Sequence, residues 1–216
     1  SGNSNPNNFD GWIGSDTISY AGSAAGVTVS LDLYLYNEVQ VSAGDASGDM
    51  VSNIENITGS AFNDILTGND YNNILIGGSG NDRLNGGASN DTLTGGAGSD
   101  VFIFQKNPGS SDIIADFSPT TSGEYINLLG FTNPVDFSHL AISQSGTDTI
   151  ISLENSQTIT LKNLSVGSLT AANFSSSWVI GGTAGSDILS GTSGADTISG
   201  LAGDDKLIGG VGADII

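Results

Sequence analysis

The chain has no cysteine, one histidine and only four lysines and arginines among its 216 residues. Without cysteine, disulfide frameworks and thiolate metal sites are excluded. The four basic residues face 23 acidic ones, giving a formal net charge of −19. Binding to nucleic acid requires a basic surface that displaces counterions from phosphates, and none can be assembled from these residues. No apolar run is long enough to span a bilayer, and the first residues do not read as a signal peptide. At 21.8 kDa the chain has room for one or two modest domains. Hydrophobic residues reach 37%, and their spacing is too regular for ordinary disorder.

Glycine and aspartate are what the chain has in quantity. There are 32 glycines, and 19 of the 23 acids are Asp. Short carboxylates on a glycine-rich backbone suggest oxygen ligands on tight turns, with a hard cation as the expected partner. Cutting from Gly59 in nines gives GSAFNDILT, GNDYNNILI, GGSGNDRLN, GGASNDTLT and GGAGSDVFI, ending at Ile103. A second block from Gly182 reads GTAGSDILS, GTSGADTIS, GLAGDDKLI and GGVGADII, stopping one residue short at Ile216. One isolated unit, GWIGSDTIS, occupies Gly11–Ser19. The eighth position is always large and apolar, as in Leu66, Leu75, Leu84, Leu93 and Phe102, then Leu189, Ile198, Leu207 and Ile216. The sixth is Asp throughout both blocks except at Asn73. Turn preference alone would accept Asn or Ser there as readily, and it leaves the surplus of negative charge unexplained.

Each unit reads as a turn followed by a very short strand whose eighth residue points inward. A single nonapeptide cannot bury that side chain, but stacked turns can, so the expected fold is a solenoid with an aliphatic ladder as its core. The pattern closely resembles the RTX (repeats-in-toxin, haemolysin-type) calcium-binding family, with its signature G-G-x-G-x-D-x-U-x in which U is large and apolar. The two blocks carry that resemblance over about 80 residues. It implies an all-β fold: parallel β-roll blocks with an intervening β-rich cap.

In such a roll two nonapeptides make one turn, so loops eighteen residues apart stack on one side and clasp a Ca²⁺ between them. The family's earlier loop gives the carbonyls of positions 2 and 4 and its Asp; the later loop gives those of positions 1 and 3 and its Asp. Carried onto this sequence, the best site joins Gly78, Gly80 and Asp82 to Gly95, Ala97 and Asp100. Another joins Ser60, Phe62 and Asp64 to Gly77, Ser79 and Asp82. The opposite side offers Asn69, Tyr71 and Asn73 with Gly86, Ala88 and Asp91, where Asn73 supplies a neutral oxygen in place of a carboxylate. The second block gives Thr183, Gly185 and Asp187 with Gly200, Ala202 and Asp205. It also gives Thr192, Gly194 and Asp196 with Gly209, Val211 and Asp214. Six oxygens with two carboxylates suit Ca²⁺ better than Mg²⁺, which prefers a strict octahedron and more water.

Outside the blocks the signals are coarser. Residues 1–10 are polar and Asn-rich and read as a linker or expression scar. Residues 11–58 form a leading β segment: Val27, Val29, Leu31, Leu33 and Leu35 alternate as a half-buried strand, and Met50–Thr58 is a degenerate rung with Glu55 sixth and Ile57 eighth. Block 1 is 59–103, and from 104 to 181 the nine-residue period is lost. DIIADF at Asp112–Phe117 with YINL at Tyr125–Leu128 resembles the segment that closes RTX blocks. Asp112 and Asp116 there read either as ligands of a terminal calcium or as solvated acids on a capping strand, and Glu124 stands where Asp is usual. Thr149–Leu153 and Thr158–Leu161 are expected to form a hairpin. Block 2, 182–216, reads as a truncated roll without a cap of its own.

Catalytic chemistry is not evident. There is no Cys–His pair, no H-E-x-x-H motif and no G-x-S-x-G elbow to serve His139. Calcium-bound carboxylates stay ionised and cannot act as general acids at neutral pH. Trp12 and Trp178, outside the regular repeats, read as packing residues of the cap rather than sugar contacts. The expected function is thus non-enzymatic: a calcium-binding module of a large secreted or surface protein, most plausibly an adhesin exported by type I secretion. A cell-surface polysaccharide or protein would be reached through the parent molecule. The alternatives are an accessory module of an exported enzyme, such as an alginate epimerase R-module, and a sugar- or peptide-binding cap. The former lacks its usual basic, Tyr-rich tail here, and the latter an evident aromatic cluster.

Overall fold

The computed structural model describes residues 7–31, 44–129, 131, 137, 140–174, 179–181, 188–190, 197–199, 203–208 and 215–216. Among them there is no α-helix. The leading segment contributes β1 (Asn8–Asp10), β2 (Thr17–Ser19), β3 (Thr28–Ser30), β4 (Met50–Ser52) and β5 (Asn56–Thr58). The first block follows with β6 (Ile65–Asn69), β7 (Ile74–Ser79), β8 (Arg83–Gly87), β9 (Thr92–Ala97) and β10 (Val101–Gln105). Beyond it come β11 (Ser111–Ile114), β12 (Tyr125–Leu129), β13 (Ala141–Ser145), β14 (Asp148–Ser152) and β15 (Thr158–Leu161). β16 (Val179–Gly181) leads into the second block, which holds β17 (Ile188–Ser190), β18 (Thr197–Ser199) and β19 (Lys206–Ile208).

From β5 to β12 successive strands go to opposite sheets. One sheet has the order β12-β10-β8-β6-β3, and the other β13-β14-β15-β11-β9-β7-β5-β2. Within the first block every pairing is parallel and eighteen residues apart: Leu66 against Leu84, Leu84 against Phe102, and Leu75 against Leu93. Two nonapeptides therefore complete one turn, and the molecule is a parallel β-roll. The second block repeats the step, with Leu189 beside Leu207, and Ile180 just before it lies beside Ile198.

Two columns of apolar side chains fill the space between the sheets. One runs Val29, Leu66, Leu84, Phe102, Ile126 and the other Ile18, Ile57, Leu75, Leu93, Ile114, with every member buried. Phe117 packs beside the first column, its ring edge-on to Phe102 at 6.0 Å between centroids. Leu84 lies in the middle of its column and is fully buried. Leu84→Ala is expected to cost ~2–5 kcal/mol, the range for cavity-forming core truncations; a calorimetric loss below about 1 kcal/mol would place the core elsewhere.

The sheets run past both ends of the block. Thr17 and Thr28 begin strands in register with Asn56 and Ile65, and Tyr125 continues from Val101. On the far side β11 is parallel to both β9 and β15, and β15 forms the expected antiparallel hairpin with β14. Of the alternating strand foreseen after Gly26, Val27, Val29 and Leu31 are buried, and Leu33 and Leu35 lie outside the described residues. His139 and Trp178 lie outside them too.

Candidate metal centres

The residue before each strand, sixth in its unit, falls on the same flank of the roll at every turn. Two columns of acids result. Asp64, Asp82 and Asp100 precede β6, β8 and β10, and Glu124 takes the same register before β12. On the opposite flank Asp16, Glu55, Asn73, Asp91 and Asp112 follow one another in register. Asp64, Asp82, Asp91, Asp100, Asp112 and Glu124 are all buried.

Backbone hydrogen bonds tie each column together. In four of the acids one carboxylate oxygen accepts the N–H of the acid or amide one turn earlier. Asp82 Oδ1 takes Asp64 N–H at 2.8 Å and Asp100 Oδ1 takes Asp82 N–H at 2.9 Å. Asp91 Oδ1 takes Asn73 N–H at 2.8 Å, and Asp112 Oδ1 takes Asp91 N–H at 3.0 Å. The second oxygen turns back over the first glycine of its own loop. Asp82 Oδ2 is buried without a hydrogen-bond partner. It lies so close to Gly77 Cα that a Cβ there would overlap it, and the same Cβ would stand 2.6 Å from the Gly95 carbonyl oxygen. Loop stacking is equally tight at Gly96, whose φ is +101° and where any Cβ would run into the Gly78 carbonyl. A side chain is excluded twice over there, by dihedral and by space.

Among the described residues no ion pair balances these carboxylates. The ion pairs among the described residues, Lys106–Glu154 at 2.7 Å and Lys162–Asp148 at 2.5 Å, both lie outside the columns. Burial pushes the Asp82 carboxyl up from 3.8 to about 7; the Asp64 N–H opposes this, and the Asp64 and Asp100 charges add to it. Asp91 also rises to about 7 through burial, against the Asn73 N–H and with the Asp112 charge. Glu124 reaches about 7 by burial, against the Ser118 N–H and with the Asp100 and Asp116 charges. Burial likewise raises Asp100 and Asp112. Buried like charges with unfilled oxygen valence call for a cation. The oxygens available are hard ones, carboxylates and carbonyls. Among the described residues no three His, Asp, Glu or Cys side chains converge, so an ion between two turns would draw on paired carboxylates and backbone carbonyls, a donor set that fits Ca²⁺.

A pH dependence follows, with a definite sign. A carboxyl whose folded pKa lies above its unfolded value binds more protons when folded, so stability falls as pH rises through the interval between them. For Asp82, Asp91 and Glu124 that interval runs from the ordinary carboxylate range up to about 7. Chelator-treated protein is expected to show more of a melting transition at pH 5 than at pH 8, where it should be weak or absent, and the structure gained on adding Ca²⁺ should be larger at pH 8. Scanning calorimetry at the two pH values checks both; a metal-free transition that strengthens as pH rises would contradict the assignment.

The loops carrying the foreseen ligands are stacked as pairs. Gly78 lies beside Gly96 and Ser79 beside Ala97, and the Ala97 carbonyl accepts Gly80 N–H at 2.8 Å, keeping a second lone pair. Ser60 and Phe62 pack beneath Gly78 and Gly80, and the Ser60 carbonyl accepts Ser79 N–H at 3.4 Å. On the other flank the Asn69 carbonyl accepts Ala88 N–H at 3.0 Å, and Gly86 stacks over Gly68. Asn73 differs from its Asp counterparts. Its Nδ2 donates to the Glu55 carbonyl at 2.6 Å and to Asn69 Oδ1 at 3.1 Å, and its Oδ1 accepts Asn69 N–H at 2.8 Å. The amide thus bridges two turns directly, as a carboxylate could not. Asp205 immediately precedes β19. Thr183, Gly185, Asp187, Thr192, Gly194, Asp196, Gly200, Ala202, Gly209, Val211 and Asp214 lie outside the described residues.

Asp116 accepts Gly95 N–H at 3.0 Å and Gly96 N–H at 2.8 Å, so it clasps the last loop of the block. The place of Glu124 in the Asp82 column escapes sequence reading, because the insertion between Asp100 and Tyr125 hides the period; strand register alone reveals it. Asp49, a buried acid that no motif marks, is fully engaged by Tyr20 Oη at 2.8 Å and Asn7 N at 2.7 Å.

The family model of the RTX calcium-binding nonapeptide repeat matches four copies, over residues 52–70, 67–102 and 181–216. The chain carries RTX calcium-binding repeats. The ion these repeats take is Ca²⁺. Among solved structures, the extracellular lipase LipA from Serratia marcescens is similar at 18% identity and a TM-score of 0.38. That similarity covers 62% of this chain and 22% of the lipase, so the RTX chain spans under a quarter of that protein. No curated protein matches it. No helix among the described residues is long and apolar enough to cross a membrane.

Proposed function

We propose that this chain is a non-catalytic calcium-folding module of a large exported protein of the adhesin type, secreted by the type I route and working outside the cell. The observation that carries the reading is the buried, unpartnered Asp82 Oδ2, held between two stacked turns and outside the ion pairs of the described residues. Ca²⁺ would be held by the carbonyls of Gly78, Gly80, Gly95 and Ala97 with Asp82 and Asp100, and by those of Ser60, Phe62, Gly77 and Ser79 with Asp64 and Asp82. In the second block the pairs Asp187/Asp205 and Asp196/Asp214 would act alike by sequence pattern. Bound there, the ion supplies the positive charge that lets neighbouring carboxylates share a dry flank. Extracellular calcium modules bind with Kd of roughly 10⁻⁴–10⁻³ M, which keeps such a chain loose in a low-calcium cytosol during export and folds it outside.

The test is the calcium concentration at half-folding of the intact chain. A midpoint of roughly 10⁻⁴–10⁻³ M supports export-coupled folding. A chain already folded at about 10⁻⁷ M would fold before leaving the cell and contradict it.

A further inference from the structure

The unit Gly68–Ile76 has Asn69, Tyr71 and Asn73 where the unit Gly77–Asn85 has Gly78, Gly80 and Asp82. These departures meet one another in space. Asn69 and Tyr71 line an open groove of about 610 Å³ together with Trp12, Asn53, Asn72 and Ser89. Trp12 is 78% exposed and Tyr71 62% exposed, which is unusual for rings of their size.

The wall of this groove is held open rather than collapsed. Trp12 (φ 64°), Asn53 (φ 52°) and Ser89 (φ 69°) adopt the left-handed region, and they are three of the six described non-glycine residues that do. For a bulky residue such as Trp this is a marked outlier, of the kind that gathers at ligand-binding surfaces. Each is clamped. Asp10 Oδ1 accepts both Trp12 N–H at 3.1 Å and Asn53 Nδ2 at 2.7 Å, and Ser89 Oγ donates to the Asp70 carbonyl at 2.8 Å. Asn72 is exposed and its Oδ1 takes Asn90 N–H at 3.0 Å, so its amide is oriented by the neighbouring turn.

Sugars present C–H faces, which stack on aromatic rings, alternating with hydroxyls, which pair with amides that donate and accept. No Lys or Arg lines the groove, Glu55 does, and the chain carries −19 overall. A polyanion is repelled by such a surface. We infer that the groove binds a neutral oligosaccharide, with Trp12 and Tyr71 stacking on its rings and Asn72 pairing with its hydroxyls. The deviant unit thereby exchanges a calcium carboxylate for a saccharide contact. This goes beyond the calcium-folding reading and requires only that the first roll be folded.

The experiment uses the whole chain in millimolar Ca²⁺, with Trp178→Phe so that fluorescence reports Trp12 alone. The probes are neutral gluco-, manno- and galacto-configured hexasaccharides, with a hexauronate as the charged control. Saturable quenching by at least one neutral hexasaccharide, confirmed by calorimetry, is expected, with none by the hexauronate. Trp12→Ala and Tyr71→Ala should each weaken binding at least about tenfold, and Trp12→Ala, which lies in no proposed calcium ligand set, should leave calcium stoichiometry and the far-UV spectrum unchanged. Trp12→Phe should retain most of the affinity, which separates stacking from a fault in folding. No saturation by any neutral hexasaccharide at millimolar concentration, tighter binding of the hexauronate, or full affinity in both alanine variants would overturn the inference.

Discussion

Asp82→Asn should remove more calcium from the roll than any other single change in the first block. Asp82 lies between Asp64 and Asp100, bonded to both turns through Asp64 N–H at 2.8 Å and Asp100 Oδ1 at 2.9 Å. It belongs to two of the proposed ligand sets, whereas Asp91 has the neutral Asn73 as its earlier partner. Asparagine is the appropriate replacement, because Asn73 shows that the fold accepts an amide at the sixth position, its Oδ1 taking the Asn69 N–H of its own loop and its Nδ2 donating to the turn before. The charge is lost and the size kept. Each independent site filled to about 100 times its Kd stabilises by about 2.7 kcal/mol. Losing two therefore removes about 5 kcal/mol, comparable with the whole stability of a modest domain. Calorimetric titration should show a larger fall in bound Ca²⁺ for Asp82→Asn than for Asp91→Asn. Equal losses would mean that the loops are shared differently between ions.

Much of this arrangement is legible from the residues. The eighth-position ladder and the eighteen-residue step follow from spacing, because a solenoid repeats its backbone only if each turn repeats its length. Insertions hide the rest. Val27 pairs with Asp64 across 37 residues and Asp91 with Asp112 across 21, yet both keep the register of the ladder. Strand pairing depends on where the chain re-enters the sheet, not on the length of loop between, so the columns continue where the period has vanished. Asp112 could be named as a candidate from its motif, while the continuity of Asp82, Asp100 and Glu124 could not. Composition shows that Asn73 is neutral; only the structure shows its Nδ2 bonded to the Glu55 carbonyl. Trp12 reads in sequence as cap packing and is instead exposed on the wall of a groove.

Calcium removal should have the largest effect of all. The roll's strands are short, three to six residues each, and ordering the backbone costs roughly 1–2 kcal/mol per residue. The apolar ladder alone must offset that cost while six buried acids, Asp64, Asp82, Asp91, Asp100, Asp112 and Glu124, line the two flanks. Raised carboxyl pKa values at Asp82, Asp91 and Glu124 express the same strain, since burial disfavours their ionised forms. An ion between each pair of turns converts repulsion into cross-links along the whole roll. Folding should consequently be cooperative in Ca²⁺ and reversible on chelation.

Far-UV circular dichroism of the intact chain at pH 7.5, first in chelator and then in millimolar Ca²⁺, tests this most directly. A calcium-held roll gives a largely disordered spectrum in chelator and a β spectrum in Ca²⁺, with equimolar Mg²⁺ failing to substitute. Identical β spectra in both conditions would show that the roll stands without its ions and would contradict the role assigned to the acid columns.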